Sequence, residues 1–125
     1  MAEAPGPSQP RALRITFAVI AAFFAVAAAF HAAALVRPEL APPSPPWRHA
    51  LFVAINAALG AGVLLRPRGF AVAFGLVTAQ QLYSHGAYAL SVWQHEGRVD
   101  WASALVLAAM PAIFALLLRT TPHAR

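Results

Sequence analysis

The chain has 125 residues, 60% of them hydrophobic and 10% charged, with a mean hydropathy of +0.63 and a formal net charge of +5. Soluble domains carry roughly 25% charged residues, so this composition excludes an ordinary soluble enzyme, and the absence of cysteine excludes disulfide exchange, thiolate nucleophiles and thiolate metal centres. All nine basic residues are arginines; they flank apolar stretches, where anionic headgroups are their natural partners, and no basic face or motif accompanies them that would bind nucleic acid.

Four long intervals pass without a charge: 22 residues between Arg14 and Arg37, 17 between Arg48 and Arg66, 27 between Arg68 and Glu96, and 18 between Asp100 and Arg119. Each is close to the roughly 20 residues that cross a bilayer core. The expected architecture is therefore all-α, a polytopic integral membrane protein built as an up-down bundle of four transmembrane helices, about 12–36, 47–65, 70–93 and 101–118. These occupy residues 12–118 as one bundle, between a disordered cytoplasmic tail at 1–11 and a cytoplasmic tail at 119–125. No room remains in this sequence for a soluble catalytic domain.

In chain order, the Pro-, Gly- and Ser-containing N-terminal segment leads through Arg11 and Arg14 into the first span. Basic residues followed by an apolar run also resemble a secretory signal, but a signal core has about 7–15 residues and this run is longer, so a retained helix is expected. Pro38, Pro42, Pro43, Pro45 and Pro46 make the next connection stiff and extended. Span two is the shortest. Arg66, Pro67, Arg68 and Gly69 turn the chain into span three, the longest and most polar, and a loop with Glu96, Arg98 and Asp100 precedes span four, where Pro111 predicts a kink or a freed carbonyl.

Arginine placement sets the orientation. Arg11, Arg14, Arg66, Arg68, Arg119 and Arg125 fall on one side; Arg37, Arg48 and Arg98 fall on the other, offset by Glu39, Glu96 and Asp100. The positive-inside bias then puts both termini in the cytoplasm. Trp47, Trp93 and Trp101 lie at the opposite boundary, as interfacial tryptophans do. Small residues recur four apart in every span, as in Ala21, Ala25 and Ala29, which favours close helix packing. The Ala-, Arg- and Pro-rich, lysine-free composition fits a GC-rich genome, and the expected location is a bacterial cytoplasmic (inner) membrane.

Chemistry concentrates in span three. Thr78, Gln81, His85 and Tyr88 share one side of that helix, with Ser84 flanking them and Gly86 leaving room for close approach. Unpaired polar groups in hydrocarbon cost several kcal/mol each, so this side is expected to face the bundle or a wet cavity. Counted from the tryptophans at 1.5 Å per residue, His85 and Asn56 stand about 12 Å inside the outer boundary, and His31 about 8 Å inside the end of its span. His31, Asn56, Gln81, Ser84, His85 and Tyr88 are thus the candidate ligand-binding residues. Trp47, Arg48 and His49 form a second candidate group at the outer rim, where they would anchor the helix or bind an anionic headgroup.

No carboxylate lies inside any span, which excludes transport coupled to an intramembrane acid. The reading that follows is a small non-enzymatic membrane protein with an outer-leaflet polar pocket for a lipid, a quinone or a membrane partner. The alternative is a haem- or quinone-linked electron-transfer subunit, with His31 and His85 as the metal ligands of a b-type haem; the leading reading requires no cofactor.

Overall fold

A computed structural model describes residues 10–120. Most of the expected N-terminal tail, and the C-terminal residues that include His123 and Arg125, lie outside the described residues. Those described are all helical apart from turns and loops, and contain no strand. Four helices follow one another: α1 (Arg11–Val36), α2 (Pro46–Leu65), α3 (Phe70–Glu96) and α4 (Trp101–Thr120), with a single 3-10 turn at Pro38–Leu40. The chain divides into two compact units, one ending at Leu65 and the other starting at Arg66.

In the first unit α1 and α2 form an antiparallel hairpin. Proline punctuates it. The Pro10 carbonyl accepts the first free N–H groups of α1, from Leu13 and Arg14, and Pro38 stops α1 after Arg37 has donated back to the Ala33 carbonyl at 2.8 Å. Pro46 opens α2 at the first helical position, where a missing N–H costs nothing. Phe17, Phe24 and Ala34 of α1 and Leu59, Gly60, Gly62 and Val63 of α2 are buried. A Cβ on Gly60 would stand 3.5 Å from the Ala21 carbonyl oxygen and the Phe24 Cβ, so the two backbones pass closely there, as the small-residue spacing implies. Arg66, just beyond α2, holds a left-handed backbone (φ 46°), a conformation that costs a side-chain-bearing residue roughly 1–2 kcal/mol.

The second unit is the antiparallel pair α3 and α4. Gly69 (φ 78°) starts α3, and Gly97 (φ 65°) ends it by donating to the Trp93 carbonyl at 3.1 Å. That stop falls three residues later than the hydropathy boundary at Trp93: hydrogen bonding carries the helix through the polar Gln94, His95 and Glu96 until a left-handed glycine ends it. His95, two residues beyond the expected end of the span at 93, therefore lies in the last turn of α3, with Nδ1 2.9 Å from the Ser91 carbonyl oxygen. α4 starts on an aspartate cap, the Asp100 carboxylate accepting the Ser103 N–H at 3.1 Å. It runs on to Thr120, whose hydroxyl donates to the Leu116 carbonyl at 2.8 Å, so residues 119 and 120 are helix rather than tail. Pro111 sits inside α4, and because it lacks an N–H the Leu107 carbonyl has no i+4 donor.

α1, α2 and α4 are each long and apolar enough to cross a membrane. At 1.5 Å per residue even the 20-residue helices reach about 30 Å, the thickness of a bilayer core. α3 has 27 residues but is interrupted by Thr78, Gln80, Gln81, Ser84 and His85, which lower its apolar character below that of the others. Large apolar side chains remain exposed along all four helices, among them Val26, Leu51, Leu76 and Leu105.

Candidate functional site

The expected site residues divide between the two units. In the second unit Phe74, Thr78, Gln81 and Val92 form a buried line along α3 at spacings that return to one helix face, and half-buried His85 lies on the same line. Its Nδ1 is 3.0 Å from the hydroxyl oxygen of Ser103, and the two share a hydrogen bond whose direction follows the imidazole tautomer. Ser103 is almost fully buried and is fixed at both ends, its N–H on Asp100 and its hydroxyl on His85.

Two atoms of this face are unsatisfied. Thr78 Oγ1 and Gln81 Oε1 are buried with no hydrogen-bond partner, on residues only 4% and 8% exposed. Each orphaned buried group costs about 1–3 kcal/mol, so the pair is the chief polar deficit of α3. Ser84 turns back on its own helix, its hydroxyl donating to the Gln81 carbonyl. Tyr88 and Tyr83 are exposed. A Cβ on Gly86 would meet nothing within 4 Å, so open space adjoins His85, and no neighbouring backbone fills it. At Gly75 the reverse holds: a Cβ would stand 2.9 Å from the Phe114 ring, which seals α3 against α4 two to three turns away from His85.

In the first unit His31 meets His49. Their Nδ1 atoms lie 3.0 Å apart, and the rings stand 5.3 Å centroid to centroid. The His31 ring also stacks on Phe52 at 5.1 Å. On the far side of His49, Nε2 is 3.4 Å from the Ser44 hydroxyl in the proline-rich loop. Asn56 turns inward on its own helix, Nδ2 donating to the Phe52 carbonyl at 2.7 Å. Of the expected rim trio, Trp47 and Arg48 are exposed while half-buried His49 faces α1.

Of the three arginines expected to be offset by acids, two are paired with one: Arg37 with Glu39 at 2.8 Å and Arg98 with Glu96 at 2.6 Å; the third acid, Asp100, caps α4 instead. Ser103, Ser44 and the His31–His49 pairing escaped the sequence reading. Asp100 immediately before an apolar run is a legible N-cap, but it takes only the backbone N–H of Ser103, so nothing in that pattern flags the serine hydroxyl. No family model matches the chain, no curated protein matches it, and no solved structure matches it.

Proposed function

We propose that this chain is a small non-enzymatic protein of a bacterial inner membrane, with four spans and both termini in the cytoplasm. Its α3–α4 hairpin binds the polar head of a lipid- or quinone-like amphipathic molecule. The observation that carries this reading is the pair of orphaned buried atoms, Thr78 Oγ1 and Gln81 Oε1, on the helix face that continues to His85. A polar ligand group supplies the hydrogen bonds those atoms lack, and because both atoms are closed off from solvent, α3 and α4 part locally to admit it. His85, its ring held by Ser103, orients the head, and Tyr88 and Ser84 flank it.

Membrane insertion is supported by three helices of sufficient length and apolarity and by the apolar side chains left exposed along all four. α3 would cross as the fourth span with Thr78, Gln81 and His85 on one face, while Gln80 lies off that face and is exposed. The arginine bias supports the orientation, and Trp101, exposed at the start of α4, suits an interfacial position.

The test uses full-length protein in detergent, titrated with a short-chain quinone and separately with short-chain phosphatidylglycerol. One of the two should raise the thermal midpoint saturably in the native protein, and Gln81→Leu and His85→Leu should each abolish the rise. If neither probe stabilises the protein, or if both variants respond as the native chain does, the reading fails.

A further inference from the structure

We propose that His31 and His49 bind one divalent transition-metal ion, of the imidazole-preferring kind such as Zn2+, Ni2+ or Cu2+, through the Nδ1 atom of each ring. The two Nδ1 atoms are 3.0 Å apart. Metal–imidazole bonds of about 2.0–2.1 Å meeting at 90–110° separate their nitrogens by about 2.9–3.4 Å, so the nitrogens have the separation of neighbouring ligands of one ion; the 5.3 Å between ring centroids has the two Nδ1 atoms facing each other, and each ring turns by about 40° to aim its lone pair at the ion. Ligands on opposite sides of a metal would be about 4 Å apart, and the pair does not have that spacing.

The surroundings match what ligating histidines need. A metal-bound imidazole donates its second ring N–H to an outer partner, which fixes the tautomer and aims the lone pair. His49 has such a partner in Ser44: with Nε2–H donating to the Ser44 hydroxyl, Nδ1 carries the lone pair and points at His31. The His31 ring is held by stacking on Phe52. Without metal, His31 Nδ1–H donates to His49 Nδ1. On binding, that proton moves to His31 Nε2, so two neutral rings release no net proton, and each nitrogen donates its lone pair to the ion.

Position favours access. His31 lies near the end of α1, His49 is in the first turn of α2, and both are half-buried beside the proline-rich loop. Among the described residues no third histidine, cysteine or carboxylate joins them, so water or an incoming ligand completes the shell. Arg37, the cation at the end of α1, is paired with Glu39. The ion would clamp the open end of the α1–α2 hairpin.

The experiment is isothermal titration of Zn2+ into full-length, tag-free protein in detergent, with Cu2+ electron paramagnetic resonance alongside. One ion per chain is expected, with superhyperfine structure from two nitrogens. His31→Gln and His49→Gln should each weaken binding at least tenfold and leave one nitrogen, Ser44→Ala should weaken it severalfold, and His95→Gln should change nothing. No saturable binding, undiminished affinity in the double variant His31→Gln/His49→Gln, or a native spectrum lacking two nitrogens would overturn the assignment. The native spectrum decides the matter even if a variant fails to fold.

Discussion

His85 Nδ1 and Ser103 Oγ meet at 3.0 Å, although His85 lies eight residues before Trp93 and Ser103 only two after Trp101. Both tryptophans cannot then mark the same depth. The first turn of α4 stands level with His85, and α3 runs on past the start of α4 to Gly97. If Trp101 marks the interface, His85 sits close to the headgroups rather than about 12 Å below them, and the polar face descends from there through Gln81 to Thr78. That depth suits the head of an amphipathic ligand better than a cofactor buried at mid-membrane.

Removing the serine hydroxyl leaves His85 Nδ1 without its partner. Ser103→Ala should destabilise the protein by about 0.6–1 kcal/mol, read as a lower thermal midpoint in detergent. His85→Leu and Ser103→Ala should be non-additive, because each removes the same hydrogen bond. Additive losses would mean that the contact contributes nothing.

Asp100 holds the α4 cap and, through it, Ser103. Asp100→Ala should cost about 1 kcal/mol, whereas Asp100→Ser, which keeps a capping oxygen, should recover most of it. The check is the same thermal midpoint.

The helices were legible because charge-free intervals leave little freedom in where membrane-length helices begin and end, and prolines and glycines mark the turns. Pairing was less legible. Depth counted from the tryptophans put His31 near Asn56, but close approach of Gly60 to Ala21 and Phe24 sets an antiparallel register that brings His49 to His31. Trp47 therefore lies inward of the end of α1 rather than level with it. Side chains that satisfy themselves locally, as Asn56 does on Phe52 and Ser84 on Gln81, look from sequence like cross-helix partners. The orphaned state of Thr78 and Gln81 depends on what stands opposite them, which no pattern within one helix encodes.

Two glycines on α3 should respond oppositely to alanine. Gly75→Ala places a methyl 2.9 Å from the Phe114 ring, forcing the ring to move, at a cost of about 1–3 kcal/mol. Gly86→Ala meets nothing within 4 Å and should gain up to about 1 kcal/mol from helix propensity. Thermal midpoints of the two variants, compared with the native chain, check both signs. A large loss at position 86 would mean that the space there is filled in the folded protein.

The most informative variants are the apolar replacements of the orphaned pair. A buried polar atom without a partner is a liability in the free protein, so Thr78→Val and Gln81→Leu, which keep approximate shape and remove the unmet hydrogen bond, should each raise stability by about 1–3 kcal/mol. Selection for stability alone would favour those apolar side chains, whereas a binding site retains the polar atoms at that cost. The thermal midpoint without ligand should therefore rise in both variants while the quinone- or lipid-induced increase disappears. If stability falls instead, Thr78 and Gln81 serve packing within the hairpin, and the ligand reading loses the observation that carries it.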